Sequence, residues 1–105
     1  MKEDDLDSFR ELAESINKIT QEAFLIYEAQ VDIIYRNKIK NEKEIERVID
    51  ALLEYCYDDK MVFLFKRLCR YYYEINPTVT YEYVNIYREL WDDGYLDKNE
   101  DDKTK

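Results

Sequence analysis

The scarcity of turn-forming residues most restricts how this chain can fold. Gly94 and Pro77 are its only glycine and its only proline among 105 residues. A β-sheet protein of this size needs several tight turns, and those turns favour glycine, proline or Asn-Gly pairs because they require unusual backbone angles. The sequence therefore predicts an all-α fold, arranged as one helical domain over residues 1–94.

Apolar periodicity predicts one long helix at the N-terminal end. Over residues 8–38, apolar side chains recur every seven residues in three parallel rows. At about 100° per residue these rows form one broad stripe, which we expect to face the core. Ser8 and Glu11 form a capping-box pattern, with Asp4 or Asp5 as an earlier start. The rows are Leu12, Ile19, Ile26, Ile33; Phe9, Ile16, Ala23; and Ala13, Thr20, Tyr27, Ile34.

Three shorter helices are predicted to follow, the first two as a hairpin. They cover residues 42–57, residues 60–75 and residues 77 to about 93, and each starts after an Asn or Asp that suits an N-cap. Residues 95–105 are mostly polar and charged and are predicted to form a disordered acidic tail. The predicted inward side chains are Ile45, Val48, Ile49, Leu52, Leu53, Cys56; Met61, Leu64, Phe65, Leu68, Cys69, Tyr72, Ile75; and Val79, Tyr83, Ile86, Leu90, with Tyr87 and Trp91 beside this last line.

The composition argues against an enzyme. The chain contains no histidine, which removes the commonest general base, the commonest metal ligand and every Ser/His or Cys/His nucleophile. Cys56 and Cys69 are too few for a zinc site, and a helical hairpin would offset them by about 12 Å, too far for a disulfide. Acidic pairs such as Asp58-Asp59 fall at predicted helix ends, where capping favours them. We expect no catalytic residues, no metal and no cofactor.

Hydropathy and the N-terminal sequence predict a cytoplasmic protein without a membrane partner. The longest apolar runs, such as residues 23–27 and 61–65, are about five residues long, against about 20 for a transmembrane helix. The chain starts MKEDDLD, which is acidic where a secretory signal would be basic and then apolar.

The third helix carries a candidate binding surface on its outward side. Residues 60–88 hold five Lys or Arg and two Glu, a net charge of +3 in a chain of net charge -9. Cations beside aromatic rings can contact phosphates and stack bases. The negative charge of the whole chain opposes this, because it repels nucleic acid at long range. We therefore expect protein contacts rather than nucleic acid at this surface, formed by Phe63, Lys66, Arg67, Arg70 and Tyr73.

The length of the first helix predicts a homodimer. About 30 residues make a helix of about 45 Å, which would overhang a compact domain. Phe24, Leu25 and Val31 widen its apolar surface beyond the three rows and form a candidate self-association surface. The alternative is a helix that breaks near Thr20 and folds back on itself. No glycine or proline marks such a break, which favours the dimer.

Three segments, LLEYCYDDK (52–60), LFKRLCRYYY (64–73) and YVNIYRELW (83–91), carry a resemblance. The chain resembles small helical proteins encoded on integrative and conjugative elements of Firmicute bacteria. The resemblance implies an accessory role on a mobile element, in a bacterial cytoplasm, and it brings no catalytic residues.

Two functional hypotheses remain after the sequence analysis. The first is a non-enzymatic helical accessory protein that acts through protein–protein interaction. The alternative is an acidic nucleic-acid mimic that inhibits a host defence enzyme or another nucleic-acid enzyme. Mimicry requires carboxylates on a rigid surface, whereas many acids lie in the two ends of the chain, which we expect to be flexible. That expectation favours the first hypothesis.

Overall fold

The fold consists of four α-helices, as predicted. A computed structural model describes residues 2–92 of the chain, with side chains from residue 5 onward. No strand occurs within that range. The predicted helix end at Gly94 and the predicted tail at 95–105 lie outside the described residues. In chain order the helices are α1 (Lys2–Arg36), α2 (Glu42–Leu53), α3 (Asp59–Tyr73) and α4 (Pro77–Trp91).

Helix α1 is longer than expected and unbroken. It starts at Lys2, before the predicted capping box at Ser8, and continues for 35 residues. Acidic residues dominate its first turns, and negative charge near a helix N-terminus is favourable because the helix dipole is positive there. The interpretation in which the helix breaks near Thr20 is wrong. The Thr20 hydroxyl donates to the carbonyl of Ile16 at 2.8 Å, a bond that a continuous helix accommodates.

The short helices begin where their capping residues predict. The side chain of Asn41 accepts a hydrogen bond from the Glu44 amide, and Asp58 and Asn76 cap α3 and α4 in the same way. Helix α2 ends four residues earlier than predicted, because residues 54–57 form turns that bring Asp58 into the extended conformation its cap requires.

The core lies between α2 and α3, and the periodicity predicted it correctly. The inward side chains predicted for these two helices are buried, except Ile75, which is half-buried. Tyr72 and Phe65 are the largest of them, and both are almost completely shielded from solvent. Helix α3 packs against α1, α2 and α4, so its buried side is in contact with every other helix.

The rotation of α1 differs from the prediction. Thr20 and Ile34 of the third row are buried, but the first row, expected in the core, is exposed. Burial of Val31 and Ile34 sets the rotation, since both are almost completely shielded from solvent. Two polar contacts accompany it: the carboxylate of Asp32 pairs with the Arg67 guanidinium at 2.9 Å, and the Tyr35 hydroxyl donates to the Arg67 carbonyl at 3.1 Å. The first row then faces solvent.

Helix α4 is also rotated relative to the prediction. Tyr83 is buried as expected, whereas Ile86 and Leu90 are 40% and 59% exposed. The ring of Tyr87 stacks on Phe65 with centroids 5.3 Å apart, and the Trp91 indole donates to the Leu53 carbonyl at 2.8 Å. Tyr87 and Trp91, predicted to lie beside the inward line, therefore make the contacts to α3 and to the end of α2, whereas Ile86 and Leu90 face solvent.

A hydrogen-bond cluster around Tyr72 joins α2, α3 and the cap of α4. The Tyr72 hydroxyl donates to the carboxylates of Glu42 and Glu46, and Glu42 also accepts from the Asn76 amide at 2.8 Å. Burial and the two carboxylates raise the pKa of Tyr72. The bonds from Asn76 and Tyr72 lower the pKa of Glu42, so its contribution to stability is present above the ordinary glutamate pKa and is lost as the pH falls through the lowered value.

We expect Tyr72→Phe to lower the free energy of unfolding by about 1.5 kcal/mol, because it removes a hydrogen bond to charged acceptors. Urea denaturation at neutral pH measures the change. Tyr73→Phe is the matched control, since the Tyr73 side chain is 57% exposed, and it should leave stability unchanged. Equal effects of the two substitutions would contradict this account of the cluster.

Both cysteines are free and buried, as predicted from the hairpin geometry. Burial raises the pKa of the Cys56 and Cys69 thiols to about 12. The thiolate is the reactive form, so at mildly alkaline pH neither side chain should react readily.

Iodoacetamide should therefore leave both thiols of the folded protein unmodified and alkylate both after unfolding in guanidinium, as read by intact mass. Rapid alkylation of the folded protein would contradict their burial.

Candidate interaction surface

An apolar stripe runs along the exposed side of α1. We define the α1 seam as Phe9, Leu12, Ile16, Ile19, Ala23, Ile26, Gln30 and Ile33. The six large aliphatic or aromatic side chains among them are between 45% and 69% exposed. They follow alternating spacings of three and four residues over more than three heptads, which is the pattern of a coiled-coil face. Such a face is normally covered by another helix.

The N-terminal part of α1 extends beyond the rest of the molecule. Every described side chain from residue 5 to residue 19 is exposed, and Thr20 is the first buried one. A helix of 35 residues is about 52 Å long. The Cα radius of gyration is 17.2 Å, against about 13 Å for a compact chain of this length. We call residues 5–19 the overhang.

We call the packed part of the molecule, residues 20–92, the body. Aromatic contacts fix the direction of the overhang where it leaves the body. The Tyr57 hydroxyl lies 2.6 Å from Thr20 Oγ1, and the Tyr57 ring lies 6.1 Å from the Trp91 ring. Two turns further along α1, Tyr27 packs on Tyr55 at 5.9 Å between ring centres. These contacts join α1 to the turn after α2 and to the end of α4. The overhang therefore projects from a packed junction.

The three residues of the predicted self-association surface do not lie together on one exposed face. Val31 is completely buried in the core of its own chain, so its assignment to that surface is wrong. Phe24 is half-buried, with the Lys60 ammonium 5.9 Å from its ring centre. Leu25 is 65% exposed but lies off the seam. The sequence signal for the seam is the first row, with Leu or Ile at every seventh position. The periodicity alone assigns this row to the core.

The candidate basic surface on α3 is assembled only in part. Phe63, Lys66, Arg67 and Arg70 line one cleft of about 310 Å³ together with Tyr35. Tyr73 lies outside this cleft and lines a groove of about 520 Å³ between α3 and α4, which Lys66 and Arg70 share. The residues of this surface thus face two adjoining depressions.

Arg67 is committed to its own chain. Its guanidinium pairs with Asp32 and lies 4.7 Å from the centre of the Tyr35 ring. Among the described side chains, those of residues 5–92, no carboxylate lies within ion-pairing distance of Lys66 or Arg70. Lys66 and Arg70, beside the exposed Phe63, therefore offer only a small positively charged surface to a polyanion such as nucleic acid.

Charge is distributed unequally along α1. Residues 2–7 contain four acids and one lysine, a net charge of -3, at the overhanging end. Residues 36–40 contain three cations and no acid, a net charge of +3, at the opposite end. Lys38 and Lys40 line a cleft with Arg70, so the positive end of α1 adjoins the basic surface of α3.

The fold and the seam define an all-α protein whose longest helix presents an uncovered coiled-coil face. No protein-family model, no curated protein and no solved structure matches the chain. None of the helices in the described residues combines the length and the apolar character needed to cross a bilayer.

We expect no appreciable binding of random duplex DNA at physiological salt. The net charge of -9 repels the phosphates, and Arg67 is already paired. Fluorescence anisotropy with a labelled duplex measures this. Tight binding that weakens steeply with salt, and that is lost in Lys66→Glu combined with Arg70→Glu, would contradict the expectation.

Proposed function

We propose that this protein is a non-enzymatic helical accessory protein that acts by binding protein, and that its first partner is a second copy of its own chain. The observation that carries the proposal is the exposed α1 seam, because a contiguous apolar face on a protein surface marks an interaction site. A two-fold dimer uses the same surface on both copies, which a single long seam supplies.

Physical chemistry requires a partner for the overhang in particular. Most helical stability in proteins comes from the packing of an apolar face rather than from intrinsic propensity. The overhang carries Phe9, Leu12, Ile16 and Ile19, and all four of these side chains are exposed. Burying the exposed half of each such side chain in a dimer would contribute on the order of 1 kcal/mol to the free energy of association. A second helix along the seam would stabilise the overhang and remove this area from water.

The monomer core engages only Ala23 and Gln30 of the seam. The predicted inward residues of α2 and α3 are already buried against each other and against Val31 and Ile34 of α1. Every buried polar side-chain atom of the described residues has a hydrogen-bond partner. The seam is therefore an additional apolar surface beyond what the monomer core uses.

The biological setting is proposed from the resemblance alone. Segments 52–60, 64–73 and 83–91 support an accessory role on a bacterial integrative and conjugative element, in the cytoplasm. In that setting the dimer would recruit conjugation or partition proteins. Affinity purification from a host that carries the element tests this, and enrichment of neither class would contradict it.

One observation favours the alternative of an acidic nucleic-acid mimic. The N-terminal acids, which we expected in a flexible end, start a continuous helix, so that Asp7, Glu11 and Glu14 project from a regular scaffold. Inhibition of a host nuclease would distinguish the two functions. A mimic should lose inhibition when these acids are replaced by Asn and Gln, and should keep it when the seam is disrupted.

We expect the wild-type protein to sediment at micromolar concentration with about twice its chain mass of 12.9 kDa. Ile19→Asp combined with Ile26→Asp should give a monomer, because it places two charges in the apolar seam of each copy. Leu25→Asp is the matched control on the same helix, and the dimer should persist in it.

Circular dichroism must show that these variants keep the helical content of residues 20–92, and only the overhang is expected to lose helicity in a monomer. A monomeric mass for the wild type at every concentration would overturn the proposed self-association. Dissociation by Leu25→Asp, with the seam variant still dimeric, would assign the interface to another side of α1.

A further inference from the structure

We infer that the two α1 helices of this dimer run antiparallel, in the register that places Ile16 opposite the partner's Ile26 and Phe9 opposite the partner's Ile33. The two-fold axis then passes near Gln21. This inference rests on the proposed self-association and adds its geometry. It follows from the spacing of the seam, from the charges at the two ends of α1 and from the position of the body.

The seam pairs completely in this register. An antiparallel coiled coil sets each first apolar position of a heptad against the second apolar position of the partner helix. The two-fold axis generates each of these pairs twice. In one pair the large side chain of Ile19 lies opposite the small side chain of Ala23. The four pairs are Phe9 with Ile33, Leu12 with Gln30, Ile16 with Ile26, and Ile19 with Ala23.

Registers displaced by one heptad leave apolar residues without a counterpart. Displacement in one direction sets Phe9 opposite the partner's Lys40, beyond the end of α1 at Arg36. Displacement in the other direction sets Ile33 opposite the partner's Lys2. Only the central register covers the seam from Phe9 to Ile33.

The charges of α1 favour the antiparallel direction. It brings residues 2–7, with net charge -3, beside residues 36–40 of the partner, with net charge +3, and does so at both ends of the pair. A parallel pair would bring -3 against -3 and +3 against +3. Opposite charges across an interface select orientation and suppress the wrong one.

The body of each copy also favours the antiparallel direction. The overhang of one copy would lie along residues 23–37 of its partner, whose other side is packed on α2 and α3. That stretch is open to a partner, since Ile26 and Ile33 are 57% and 51% exposed, while Gln30 is held by Arg47 at 3.3 Å. In a parallel pair the two overhangs would contact only each other, as an isolated pair of helices.

Cysteine substitution distinguishes the two directions. We would compare Ile16→Cys, Ile26→Cys and the double variant under mild oxidation, by non-reducing electrophoresis. Antiparallel pairing predicts a covalent dimer in the double variant and none in either single variant. In a single variant, the introduced cysteine lies about 15 Å along the helix axis from the same cysteine of the partner. The same offset excludes a disulfide within one chain. The wild type, whose two thiols are buried, is the control.

Efficient cross-linking of each single variant would establish a parallel pair and overturn the inference, while leaving the proposed dimer intact. A wild-type dimer in which none of the three variants cross-links would also overturn it. A wild type that is monomeric throughout would instead overturn the proposed function.

Discussion

Burial of one side of α3 determines where the other three helices lie. Phe65, Leu68 and Tyr72 are shielded almost completely, and covering that line requires α2 on one side and α1 and α4 on the others. Only the C-terminal half of α1 contributes side chains to this core. The N-terminal half extends past the body because α2, α3 and α4, of 12 to 15 residues each, are too short to reach it.

The same packing leaves α1 with two apolar surfaces. One contains Thr20, Val31 and Ile34 and is buried in the monomer. The other, the seam, is exposed at its six large side chains, and the chain segments at its two ends carry opposite charge. The apolar stripe is wider than the monomer core requires, and the helix is longer than the monomer covers. This geometry is what supports the proposed dimer.

The sequence predicted the helices and the core of the hairpin well, because α2 and α3 each have one apolar face and a strong capping residue. It did not predict the rotation of α1. The apolar rows of that helix, together with Phe24 and Val31, cover more than half of its circumference, and periodicity cannot tell a core face from a partner face. The contacts that distinguish the two faces are long-range: burial of Val31 and Ile34 in the core, with Asp32 bonded to Arg67 and Tyr35 to the Arg67 carbonyl. No local pattern reveals them.

Hydrogen exchange of the overhang amides at several protein concentrations tests the central claim most directly. If a second copy covers the seam, protection of residues 5–19 should rise with concentration, while the amides of α3 should exchange at a rate independent of it. Exchange that is fast in the overhang at every concentration would contradict the claim. So would protection that is already complete where the protein is monomeric, because the overhang would then need no partner.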